Sequence, residues 1–435
     1  MFLSNPIING TIILTFAGGA SRFIGFFYRI FLTRTIGAEG LGIYQLICPV
    51  MALGYALCCA GFQTAISKLI AEARNSRKKY LVTGIILSIA VSVLLSAIIY
   101  LYADFIAQRI ICEPRCSRLL QIMSFSLVPS AIHACINGYY YGLKKTAIPA
   151  FSQLVEQFVR VGSVYLIYII KESQGLPIQP SDVVWGITIC EVAGLLFSVT
   201  ALYFTKSSSN DYAVSKQNIK KLPNYAYEIC NLAVPMSLNH FLLTLCTGLE
   251  NILLPIQLQK YGFTATDSLS IFGILSGVAL PVLLFPSVLT NSLCVLLLPD
   301  ISEAQAKEDT AHIKNITKKA LLYGALFGLV FTLLFRFSGG FIGNKIFDSA
   351  LASHYILRLC WLCPFIYISS LLSSILNGLG KPKSVLFTNI LSGGIRISMI
   401  LIAVPVYGID AYLWSILVAQ IFSTMACTYL VKHSN

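Results

Sequence analysis

Arg22, Arg29, Arg160 and Arg396, with Glu156 and Glu250, stand inside stretches otherwise apolar enough for lipid. An ionised group in hydrocarbon is costly, so each must pair, reach water or serve a function. A guanidinium holds a carboxylate or phosphate through parallel hydrogen bonds, so deep arginines beside water point to an anionic ligand. Covalent chemistry has no counterpart here: the chain lacks a Gly-Lys-Ser/Thr phosphate loop and any clustered His/Cys spacing for a metal. No cofactor and no enzymatic activity are expected.

Helical spacing decides which of these groups share a face. Thr11, Thr15, Gly18, Arg22, Gly25 and Arg29 recur at steps of four and three, a stripe for close helix packing or a wet cavity. Arg22 lies about 22 Å along its helix from Ile7, at 1.5 Å per residue, which points it towards a cavity. Arg29, near the outer end, either snorkels to the interface or serves a site, and Lys68 reads as a snorkelling anchor. Gln153, Glu156, Gln157 and Arg160 share another face, and Glu156 with Arg160 reads as an ion pair one turn apart. Asn389, Ser392, Gly393 and Arg396 repeat that spacing 236 residues later. Arg396 has no acid on its own helix, so it must find one elsewhere or face water. His240, Thr244, Thr247 and Asn251 follow helical spacing beside Glu250, as either a helix-contact seam or a ligand-facing surface.

The elements that carry these stripes follow from composition. Of 435 residues, 56% are hydrophobic and 11% charged, against roughly 25% charged in a soluble domain. Twelve spans are expected, near 7–32, 41–70, 81–103, 117–143, 147–170 and 182–205, then 225–248, 269–298, 317–337, 351–378, 384–405 and 409–431. The chain therefore reads as an all-α polytopic membrane protein. "MFLSNPIING" carries no Lys or Arg before its apolar run, so a cleaved secretory signal is not expected.

A net charge of +13 fits membrane topology better than nucleic acid. Seventeen Lys and Arg fall in loops after even-numbered spans or at the C-terminus, among them Arg74, Lys144, Lys216, Lys314 and Lys432. Nine follow odd-numbered spans and five lie within spans. The bias puts both termini in the cytoplasm. Thirteen cysteines are scattered mostly through the helices; Cys112 and Cys116 flank a short loop and are close enough in sequence to pair.

The chain also repeats itself. "NGYYYGLKK" (137–145) and "NGLGKPK" (377–383) end corresponding spans, and "EGLGIYQL" (39–46) resembles "DSLSIFGI" (267–274), 228 residues on. Six spans per copy gives two parallel six-helix lobes, 1–205 and 225–435, around a central cavity, joined by a polar cytoplasmic linker, 206–224. The 228-residue offset pairs Arg22 with Glu250, a salt bridge that would close an empty cavity and break when an anion arrives.

"SRFIGFFYRIFLTRTIGAEGLGIYQLICPV" (21–50), with "AISKLIAEA" (65–73), resembles the stage V sporulation protein B group. That group is a polysaccharide-transporter branch of the multidrug/oligosaccharidyl-lipid/polysaccharide exporter superfamily. Ser-Arg-x-x-Gly-Phe at 21–26 is similar to the superfamily's lipid II flippases, whose first-helix arginines imply a pyrophosphate-binding role for Arg22 and Arg29. The resemblance implies flipping of an undecaprenyl-linked cell-wall or spore-cortex saccharide, with membrane lipids, a coupling ion and cell-wall synthesis enzymes as further partners and no nucleic acid. Arg160, Arg396, Glu156, Gln153, Gln157, Glu250, Asn251, Asn389 and His240 complete the expected site. Two features depart from those flippases: twelve expected spans instead of fourteen, and no matching basic residues in spans two and eight. The rivals are a cation-coupled drug antiporter, an integral membrane glycosyltransferase or ligase, and a cell-wall assembly scaffold.

Overall fold

A computed structural model describes residues 6–72, 76–206 and 222–433. Most of the expected linker, 206–224, lies outside them, as do Arg74 and Lys216. Among the described residues the chain is helical and has no strand, as hydrocarbon requires of a backbone that must satisfy its own hydrogen bonds.

The helices are α1 (Pro6–Thr35), α2 (Gly37–Glu72), α3 (Arg77–Leu101), α4 (Cys116–Ser124), α5 (Leu127–Gly142), α6 (Ala147–Ser173) and α7 (Pro180–Thr205). Then come α8 (Pro223–Tyr261), α9 (Ala265–Leu284), α10 (Ser287–Ala306), α11 (Thr310–Ile346), α12 (Ala350–Gly378), α13 (Pro382–Ile402) and α14 (Ile409–Lys432). Ten of these are long and apolar enough to cross a membrane, or eleven with α4 and α5 taken as one span bent by 43°. The first expected span coincides with α1. The eighth, expected unbroken over 269–298, is interrupted at Phe285 and Pro286, where proline lacks the N–H a continuing helix needs. This is a multi-pass membrane protein.

Two compact units emerge. The first takes Met1–Tyr28 and Ile43–Gly248, the second Arg29–Gly42 and Leu249–Asn435. In the first, Phe62, Ile66 and Ile70 of α2 pack with Leu81, Cys135 and Ile229. In the second, Ile301 and Ile316 pack with Leu372, Ile375, Leu376 and Val431.

Backbone devices repeat at the 236-residue offset. A π-helical turn at Ile106–Ile111 leads to Cys112 at φ 60°; another at Ile342–Ile346 leads to Asp348 at φ 52°. The following amides bond alike: Glu113 N–H donates to the Ala107 carbonyl at 2.9 Å, and Ser349 N–H to the Gly343 carbonyl at 2.9 Å. Cys112 is exposed, Cys116 is buried, and both are free thiols.

The repeated Asn-Gly ends share one cap. Lys145 N–H donates to the Tyr140 carbonyl and Lys144 N–H to the Tyr141 carbonyl; Lys381 pairs with Leu376 and Gly380 with Asn377 in the same way. Lys144 (φ 59°) and Gly380 (φ 71°) supply the left-handed residue of this Schellman cap. In the second unit the copies that begin at Glu39 and Asp267 cross each other. A Cβ on Gly42 would overlap the Leu269 carbonyl oxygen, and one on Gly273 would overlap the Gly42 amide nitrogen.

Gly42→Val should therefore cost at least the roughly 1–3 kcal/mol typical of overpacking, because the obstacle is backbone and cannot rotate away. Gly18→Ala, with nothing within 4 Å of the added carbon, should unfold in detergent at the wild-type temperature or slightly above it. Equal melting temperatures for Gly42→Val and wild type would refute the close crossing.

Candidate functional site: charged groups of the membrane helices

A cavity of about 530 Å³ lies in the first unit. Its walls are Tyr44, Met51 and Tyr55 of α2 with the small side chains Ala52, Ala56 and Ala60, then Glu156 and Arg160 of α6, Cys190 and Glu191 of α7, and His240 and Thr244 of α8. Three expected site residues, Glu156, Arg160 and His240, thus face one space. Glu191 joins them and was not expected; its signal is a lone acid in the apolar stretch "GITICEVAGLL".

The α6 stripe is polar as expected, with different pairing. Arg160 donates to the Gln157 amide oxygen, and among the described residues no carboxylate lies within ion-pair distance of it. Its Nε is buried without a hydrogen-bond partner. Glu156, expected to neutralise Arg160, accepts instead from Ser152 Oγ at 3.2 Å and lies 3.2 Å from His133 Nε2. Asn137 Nδ2 stands 2.8 Å from the same ring nitrogen. Gly194 of α7 leaves room for the carboxylate, since a Cβ there would sit 2.6 Å from Glu156 Oε1. The i, i+4 spacing permitted the Glu156–Arg160 pair; His133, on a neighbouring helix, was invisible to that spacing. Gln157 is buried and Gln153 is exposed.

In the second unit Arg396 finds its acid. Its Nη1 lies 3.4 Å from Glu250 Oε2, and Tyr412 Oη donates to Glu250 Oε1 at 2.7 Å. The carboxylate side chain is 5% exposed and the arginine 28%. Glu250, expected opposite Arg22, is therefore engaged by α13 and α14. Arg396 Nε, like Arg160 Nε, is buried without a partner. Asn251 is half-buried next to Glu250, and Asn389 is exposed.

The α1 stripe divides. Ala17, Ser21, Tyr28 and Leu32 are buried one step round from the expected line, and Thr33, one turn beyond Arg29, is buried on it. Gly25 packs on α6, where a Cβ would meet Gln157 Nε2 at 3.3 Å. Arg22 is exposed. Arg29 belongs to the second unit, where Nη1 donates to the Gly277 carbonyl at 3.2 Å. Arg34 donates to the Lys345 and Ile346 carbonyls at 3.1 and 2.8 Å, a cation at a helix C-terminus. Lys68 is exposed.

Glu250→Gln should lower the stability of the purified protein by about 3–5 kcal/mol, because it leaves a guanidinium unpaired in the helix bundle. Glu250→Gln with Arg396→Met should recover most of that loss. Thermal unfolding in detergent reads both; a single variant as stable as wild type would remove the pair from any structural role.

A family model described as polysaccharide biosynthesis protein matches residues 7–305. Stage V sporulation protein B of Bacillus subtilis (strain 168) is 24% identical over 96% of this chain and 82% of its own length. Among solved structures, lipid II flippase MurJ in an inward closed conformation aligns with a TM-score of 0.74 at 15% identity, covering 97% of this chain and 87% of that one. An inward-facing multidrug resistance MATE family transporter of the MOP superfamily aligns with a TM-score of 0.73 at 13% identity, covering 95% of each chain. The resemblance to the stage V sporulation protein B group therefore holds along nearly the whole chain, and the fold is that of these multi-pass proteins. The chain belongs to the polysaccharide biosynthesis protein family.

Proposed function

We propose that this protein flips a lipid-linked, pyrophosphate-bearing saccharide from the cytoplasmic to the external leaflet. Two six-helix lobes, 1–205 and 225–435, would alternate access to the substrate, with the linker 206–224 and both termini in the cytoplasm. Undecaprenyl-linked precursors of cell wall or spore cortex suit the family and the relatives named for sporulation and lipid II flipping. One observation carries the reading: Arg160 faces a cavity with its charge unmatched by a bonded carboxylate and its Nε unbonded. A pyrophosphate oxygen would give that guanidinium the partner hydrocarbon withholds. Arg22, exposed on α1, would meet the second phosphate. Arg396 is largely neutralised by Glu250 and would contribute less positive potential than Arg160.

Cation-coupled drug export is the second reading. Glu156 and Glu191 share the cavity with one arginine, so buried arginine does not outnumber acid there.

Purified protein in liposomes should flip a defined polyprenyl-pyrophosphate disaccharide. Arg160→Ala and Arg22→Ala should each slow flipping about ten- to a hundredfold, the range for losing a hydrogen bond to a charged group worth about 1.5–3 kcal/mol. Undiminished flipping by Arg160→Ala would sink its role. Extrusion of cationic dyes without any flipping would establish the export reading instead.

A further inference from the structure

We infer that the cavity of the first unit takes a zwitterionic group, an ammonium together with a phosphoryl or carboxylate oxygen; this deepens, and rests on, the transport reading above. Arg160, Glu156 and Glu191 bring both signs of charge to one cavity. Opposite charges attract strongly where water is scarce, so unrestrained side chains there would close into an ion pair. Arg160 is restrained from doing so. Gln157 holds the guanidinium, while Ser152 and His133 engage Glu156 in the space left by Gly194. Separation of this kind leaves both signs available to a ligand.

A second observation marks the anion end. Tyr28, 6% exposed, has a buried hydroxyl without a hydrogen-bond partner. That hydroxyl lies within electrostatic reach of Arg160, Tyr44 and Cys190, all of which line the cavity. With Arg160 Nε it makes two unused donors on adjacent helices, and buried donors are costly to leave unbonded. Neither atom is open to the cavity as it stands, so an oxyanion bound at Arg160 would draw both donors towards it. Two carboxylates, Glu156 and Glu191, share the lining with the ring of Tyr55 and suit an ammonium, drawn by charge and by the negative ring face. His240 faces the same space and can accept from an ammonium when neutral. A ligand of one sign would leave the opposite set desolvated and unmatched, so the arrangement selects against it.

Two sources carry this chemistry, a phosphoethanolamine headgroup of the bilayer and a lipid-linked saccharide that bears a free amine. Calorimetric titration of the full-length protein with O-phosphorylethanolamine, methyl phosphate and ethylamine tests the shared chemistry. The zwitterion should bind at least tenfold more tightly than either single-signed probe. Glu191→Gln and Glu156→Gln should each lower its affinity about tenfold without lowering that for methyl phosphate. Tyr28→Phe, which keeps the ring, should weaken methyl phosphate by about tenfold.

Equal affinities for the three probes, or a zwitterion advantage that survives both glutamate variants, would overturn the inference. In liposomes, slower flipping after acetylation of the saccharide's amine, lost in Glu191→Gln, assigns the site to the saccharide. Dependence on phosphatidylethanolamine content instead assigns it to the bilayer lipid. A zwitterion advantage in a protein that flips nothing would defeat the transport reading and leave this site standing.

Discussion

Hydrocarbon offers a charged side chain nothing to bond with, and the placement of ionisable groups in these helices follows from that constraint. The two halves meet it differently at matched positions. Arg396 is answered by Glu250 from α8, which Tyr412 holds in turn. Arg160 is answered by a neutral amide, and the nearby acid is taken up by a serine and a histidine. One stripe holds a closed ion pair, while the other keeps its charge beside a cavity.

The two copies share backbone devices more fully than side chains. The left-handed residues at 112 and 348, and at 144 and 380, keep the 236-residue register. A helix leaves its last carbonyls without partners, and a left-handed cap satisfies them through backbone bonds that depend little on the side chains beside it. Tyr140 is replaced by Leu376 and Lys144 by Gly380 at these caps, without changing the bond pattern. Packing glycines are held more tightly by geometry. Gly138 and Gly142 of α5 would press a Cβ to 2.5 and 2.6 Å from the Gln63 and Ser67 carbonyl oxygens, the close approach that small residues four apart permit.

Much of this was legible in the residues and some was not. Apolar length gave the spans, and i, i+3, i+4, i+7 spacing gave the α6 and α13 stripes, because both are properties of a single helix. Which acid meets which arginine is a property of neighbours. The Glu156–Arg160 spacing and the 228-residue offset from Arg22 to Glu250 both suggested partners that the packing reassigns to His133 and Arg396. Glu191 stands in the sequence with only the uncharged Thr188 and Ser198 at helical spacing, and a lone acid declares itself only when another helix brings Arg160 into the same cavity wall. On α1 the most buried line runs beside the polar stripe, through Tyr28 and Leu32, whose apolar bodies look no different in the sequence from lipid-facing residues.

Helix irregularity also decides what meets the charged groups. A π-helical turn frees a carbonyl from the ordinary ladder and lets a side chain from elsewhere use it. In α2 the turn at Ala56–Ala60 gives the Cys58 carbonyl to Ser88 at 2.7 Å, and its small residues Ala56 and Ala60 make room in the cavity wall. In α9 the turn at Leu275–Ala279 gives the Gly277 carbonyl to Arg29. The same distortion thus opens space in one half and anchors a cation in the other. Arg29 therefore need not reach the membrane surface, because a backbone carbonyl stands in for water. The arginines that look alike in the sequence differ in what meets them: Arg29 a freed backbone carbonyl, Arg396 a carboxylate and Arg160 a side-chain amide.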